Sequence, residues 1–176
     1  MTARKRLIAL VVAAGALVAC TGCAERSSMA FSVDGTVVTE NQVDQVAQSC
    51  MTSYNSAGGS QVTLSDMREQ SIQWQLDGAI GVAAAKRLGI SFSQDDRTQF
   101  LNQTADGPAL MRDPLCQQAM YDFATVVLLS YQAGSAQFTS TLATLDIVVN
   151  PRFGTFDPTS VSLVGTGSLS QLDADH

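Results

Sequence analysis

The chain has 176 residues, 16 acidic and 10 basic, for a net charge of −6, and its one histidine is the last residue. That length suits one domain with its own core plus appendages, and it excludes a large multidomain enzyme. A single histidine excludes metal sites and acid–base mechanisms that need two. The acidic balance argues against nucleic acid, where Lys and Arg displace counterions from phosphate.

The N-terminus departs from that average. Arg4, Lys5 and Arg6 precede an apolar stretch from Leu7 to Val18. A spanning helix needs about 20 apolar residues, so this run reads as the core of a signal peptide. It ends in Leu17-Val18-Ala19-Cys20, which resembles the bacterial lipobox. The resemblance implies a diacylglyceryl group on Cys20, cleavage after residue 19 and attachment to the outer face of the cell membrane. A lipobox ending at Cys23 would put Cys20 where an aliphatic residue is expected, so Cys20 is favoured. An ordinary secretory signal without lipid is the alternative. Removing residues 1–19 leaves seven basic residues against 16 acidic, a charge of −9, with Lys86 the only lysine.

Residues 20–30 are small and polar and read as a tether. Ten residues of coil span roughly 15–20 Å. The domain is expected over 31–158. Phe31 to Val38 is rich in β-branched residues around Asp34-Gly35, a hairpin signal. Thr39 with Gln42 three residues on is a capping-box pattern, and the spacing of Val43, Val46 or Ala47, Cys50 and Tyr54 predicts a helix over about 40–54. Ser65 is the expected cap of a second helix, with Asp66 and Glu69 in its first turn. That helix runs to Leu88 on the stripe Ile72, Leu76, Ile80 and Ala83 or Ala84. Gly89 and Ile90 close it.

Ser93 is expected to cap a third helix over about 94–104, with Phe100 and Leu101 inward and a break at Asp106-Gly107-Pro108. Asp113-Pro114 begins a fourth, whose stripe is Cys116, Met120, Phe123, Val127 and Tyr131. It is expected to bend near 130–135 and resume through Leu145. Residues 146–150 read as a second strand, placed to pair with the first. Residues 159–176 are polar and low in complexity and are expected to be a disordered tail. The fold class is therefore mainly α: several helices with a small β element made by N- and C-terminal strands.

Three landmarks in this order resemble one family. They are Val33-Asp34-Gly35 leading through Val37-Val38-Thr39-Glu40 into a capped helix, Arg87-Leu88-Gly89-Ile90, and the segment from Val148 to Pro158. Together, behind a lipobox, they resemble the SurA N-terminal domain of actinobacterial envelope lipoproteins. The resemblance implies a helical chaperone domain that holds unfolded exported polypeptides through apolar surface. Relatives in that family carry parvulin-type isomerase domains with active-site histidines. Only 26 residues follow Asn150, so the implied activity is binding, without catalysis, cofactor or metal. An accessory subunit docking one specific envelope protein is the alternative.

Cys50 and Cys116 fall on the apolar faces of their helices, and exported chains meet oxidising conditions. A bridge between them encloses about 67 residues and is worth roughly 4 kcal/mol by chain entropy. Two separate buried thiols are the other reading. Cys20-Thr21-Gly22-Cys23 matches a bare redox spacing, but it follows a signal core rather than a strand; Cys23 receives no role, and a four-cysteine zinc site would need Cys20 unmodified. Asp95-Asp96 suits a helix start better than acid–base chemistry, because adjacent helical residues point apart. Asp173, Asp175 and His176 have no scaffold. Asn102-Gln103-Thr104 fits a glycosylation sequon that also arises by chance. Met51, Met67 and Trp74 are the client-binding candidates, since Met and aromatic side chains adapt to varied partners; finishing the core is their blander role.

Overall fold

The computed structural model describes residues 28–58 and 61–164. The expected signal segment, Cys20, Cys23 and residues 165–176, with His176, lie outside the described residues. Two strands open the fold, β1 (Met29–Val33) and β2 (Thr36–Thr39). Six helices follow: α1 (Glu40–Ser56), α2 (Leu64–Leu88), α3 (Gln94–Asn102), α4 (Gly107–Leu110), α5 (Pro114–Ala133) and α6 (Ser135–Leu142). The chain then runs through β3 (Ile147–Val149), a 3-10 turn at Pro151–Phe153, β4 (Thr155–Asp157) and β5 (Ser162–Val164). The architecture is mainly helical with small antiparallel sheets.

Hydroxyl–acceptor pairs three residues apart set the helix starts. Thr39 accepts from the Gln42 amide, and Gln42 Oε1 accepts from the Thr39 amide at 2.8 Å, a closed capping box. Ser93 and Asp96 repeat the arrangement at α3. At α2 the expected cap, Ser65, is corrected to Thr63. The reason lies in the third residue on. Asp66 accepts from the Thr63 amide at 3.1 Å, whereas Arg68, three beyond Ser65, has no acceptor to offer. Glu69 therefore falls in the second turn. Gly89 ends α2 at φ 65°, and Ile90 N–H donates to Ala85 at 3.0 Å, closing the last turn.

Two further expectations shift. Helix α3 stops at Asn102 because the Thr104 hydroxyl donates to the Leu101 carbonyl at 2.8 Å and accepts from the Gly107 amide at 3.1 Å. The sequon threonine is thus used in a turn that starts the one-turn helix α4. On α5, Tyr131 is 79% exposed, not part of the core stripe. Leu129 makes the last buried contact instead, because the chain reverses at Gly134 and brings Phe138 and Leu142 of α6 to the Leu129 side.

The first sheet has the order β2-β1-β3. Asp34 and Gly35 take φ of 48° and 78°, the double left-handed turn that fits a tight hairpin. Strand β3 runs antiparallel to β1, with Phe31 opposite Val149 and Val33 opposite Ile147, so the two expected strands do pair. The expected tail is corrected over its first part: Ser162–Val164 is strand β5, paired with β4. An apolar Leu163 packs on the core there, and Gln73 of α2 grips its backbone, accepting from Leu163 N at 2.9 Å and donating to Val161 O at 3.3 Å.

Two cores result. One lies under the sheet, where Phe31, Val33, Leu76, Ile80, Leu129 and Leu142 meet. The other lies among the helices, around Ala47, Cys50, Leu101, Leu110, Cys116 and Met120. The Cys50–Cys116 disulfide is formed in the second, with both residues fully buried and 4.9 Å between their Cα atoms. Helices α2 and α5 span both cores and run side by side in the same sense, since Gly78 faces Asp122 and Gly81 faces Val126. A Cβ on Gly81 would lie 2.6 Å from the Val126 amide nitrogen, so this spacing depends on glycine.

Candidate functional site

The close seam between α2 and α5 leaves one flank of each helix open. On α2 that flank is Gln75, Ala79, Val82, Ala83 and Lys86, the spacing of a single helical stripe. On α5 it is Leu115, Gln118, Ala119 and Asp122, again one stripe. The hairpin supplies the opposite wall through Val33, Thr36 and Val38, with Val46 of α1 beneath. Together they enclose an open groove of about 760 Å³.

The middle of the groove is apolar and its ends are polar. Val82 is 49% exposed and Leu115 45% exposed, and alanines between them keep the floor low. At one end the Arg87 guanidinium holds Asp34 at 2.7 Å. Asp34 also accepts from the Asp146 amide at 2.9 Å. The Asp146 amide first, and Arg87 with it, holds the Asp34 carboxyl below its ordinary range. Lys86 stands beside this pair and makes no ion pair among the described residues. Towards the other end, Asp122 accepts from Gln118 Nε2 at 3.0 Å. Burial against α2 pushes its carboxyl up, with Gln118 opposing.

A second aspartate, Asp77, lies on the other side of the same seam, in a small hollow with Phe123, Ser130, Phe138 and Val161. Burial pushes its carboxyl up to about 6, against a 2.7 Å hydrogen bond from Gln73. Asp95 and Asp96 belong to the start of α3, and Asp96 is spent in its capping box. No group of three metal-ligating side chains occurs among the described residues. None of their helices is long and apolar enough to cross a membrane.

The structure packs Met51, Met67 and Trp74 together around the helical core, Met67 fully within it and the other two at its margin. None of the three lines the groove. Trp74 meets Phe123 with ring centroids 6.5 Å apart. Cys50 and Cys116 are brought together; Cys20 lies outside the described residues. Sequence reasoning missed Val82 and Leu115. Their signal was positional: both are large apolar residues off the buried stripes of their helices. Compared with protein-family models, with curated proteins and with solved structures, the chain matches none.

Proposed function

We propose that this chain is a lipid-anchored holding protein at the extracytoplasmic face of the cell membrane. It resembles the SurA N-terminal domain in the order of its landmarks, and it binds unfolded exported polypeptides without turning them over. Cys20 carries the lipid, and the domain hangs from it on the segment that precedes β1. The observation that carries this reading is the groove. A folded chain keeps Val82 and Leu115 half exposed beside Ala79, Ala83 and Ala119, a concave apolar surface with polar ends. Such surfaces on a soluble face mark sites for other apolar chains. The charge of −9 keeps copies apart and client complexes dispersed.

The test uses the full chain in detergent, mixed with a chemically unfolded secreted protein, with light scattering as the readout. Suppression of aggregation near equimolar ratio is expected, and Val82→Glu should remove it while leaving the helical content unchanged. No suppression across several unrelated clients overturns the reading. In-cell crosslinking that returns one stoichiometric partner, in place of many unfolded chains, favours the accessory-subunit alternative.

A further inference from the structure

The groove has a feature that a plain apolar cleft lacks: one wall is a free strand edge. Strand β2 is the last in the order β2-β1-β3. Apart from β1, no backbone segment among the described residues hydrogen-bonds to Thr36, Val37 or Val38. Edge strands are usually blunted by Lys, Pro, bulges or a covering loop. Thr36-Val37-Val38 carries no charge and no proline, and Val37 is 48% exposed. The residues that alternate with Val37, Thr36 and Val38, line the groove. Unused backbone groups and an apolar cleft therefore adjoin, the two parts of recognition by strand addition.

The charges at the ends define the occupant further. Asp122 sits level with Gly78, where its Cβ lies 2.8 Å from the position a Gly78 Cβ would take. Lys86 is eight residues along the same helix, which is about 12 Å at 1.5 Å per residue. An extended chain covers that distance in about four residues. Neither charge has an ion-pair partner among the described residues.

We propose that the client is bound as an extended segment that adds to the outer edge of β2, placing β-branched or apolar side chains in the groove, a cation near Asp122 and a carboxylate near Lys86. This deepens the holding function and rests on it. Hydrogen bonds to the β2 backbone supply sequence-tolerant affinity, and the groove and the two charges set the preferred segment. A cation near Asp122 also relieves the cost of a half-buried carboxylate.

The probe is the blocked peptide Lys-Thr-Val-Thr-Glu, whose valine shares a face with the two charges, titrated against the full chain in detergent. Amide hydrogen exchange at Thr36–Val38 and the dissociation constant are read together. Slowed exchange at these amides is expected. Methylating the peptide's backbone nitrogens should weaken binding about tenfold or more, since main-chain bonds carry affinity in this mode. Lys86→Glu should weaken the same peptide, and Lys-Thr-Val-Thr-Lys should regain affinity for that variant. Equal binding of the N-methylated peptide, or unchanged exchange at Thr36–Val38 with peptide bound, overturns strand addition. So does a dimer through β2 that peptide does not displace in sedimentation. If aggregation suppression persists through such a result, the holding function stands and only its mode falls. If suppression is also absent, both fall.

Discussion

The two ends of this domain are closed by different chemistry. At the helical end, α1 and α5 are joined covalently through Cys50 and Cys116, in a core that also holds Met67, Met120 and Tyr121. At the sheet end the closure is polar. Asp34 takes the Arg87 guanidinium and the Asp146 amide, and Asn150 Nδ2 donates to Met29 O at 2.9 Å. The first closure responds to reductant and ignores pH; the second does the reverse. The free strand edge lies beside the second, and the groove runs from there toward Leu115, next to Cys116. One end of the groove is thus held by bonds that can adjust, while the other is fixed beside the bridge.

Replacing both bridged cysteines by alanine should have the largest effect, a loss of roughly 4 kcal/mol by chain entropy. Urea unfolding with and without reductant measures it, and exchange protection should fall first in α1 and α5. Gly81→Ala comes next. It forces α2 and α5 apart at the Val126 backbone, and overpacking of this kind costs about 1–3 kcal/mol. Because both cores share that seam, protection should drop at both ends, which would separate this variant from the cysteine pair.

Asp77→Asn tests the sheet end in the opposite direction. Its carboxyl is raised from 3.8 to about 6 by burial. The ionised form is therefore disfavoured by folding, and the stability it allows is full below pH 3.8 and lost as pH rises through 6. Asparagine still accepts the Gln73 bond, so the variant should be more stable by about 1–2 kcal/mol at pH 7 after allowance for partial exposure. Thermal melts at pH 4 and pH 7 should show the gain only at the higher pH. Asp34→Asn gives the smallest change. Its lowered carboxyl contributes stability above pH 3.8 that is lost as pH falls below that value, so the variant should melt slightly earlier at neutral pH and flatten the acid limb. The two aspartates oppose one another: Asp34 adds stability as pH rises toward 3.8 and Asp77 removes it from there to about 6, so the wild-type melt should be highest near pH 4.

The local parts of this fold were legible in the sequence because they depend on residues three or four apart. Thr39 with Gln42, Ser93 with Asp96 and Gly89 with Ile90 are each complete within one turn. Even the misplaced cap obeyed the same rule, since Thr63 has its acceptor at Asp66 and Ser65 has none. The pairing of the terminal strands was also readable, as two short β-branched runs with no other partner. The groove was not. It exists because Gly78 and Gly81 bring α5 onto one flank of α2 and leave the other bare, a fact of three-dimensional placement. Periodicity could mark Val82 as off the buried stripe, yet it could not say whether another element covered it. Met51, Met67 and Trp74 illustrate the converse: their residue types suit an adaptable surface, but Met67 is buried in the helical core and Met51 and Trp74 pack at its margin. Leu163 was overlooked because a strand of three residues is too short for its pattern to stand out from a polar tail.

The pairing of β1 with β3 has a consequence in time. Asn150 and Met29 are 121 residues apart, whereas the bridged cysteines are separated by 66. In a chain that emerges from its N-terminus, the helical end has all its parts first, and the oxidised bridge can lock it early. Strand β1 must wait until almost the whole domain has appeared before β3 can cover its other side. Such long-range closures are slow, because the loop entropy is lost before the contacts form. For that interval β1 and β2 form a hairpin with both edges bare, and the order of emergence makes the sheet end the last step of maturation.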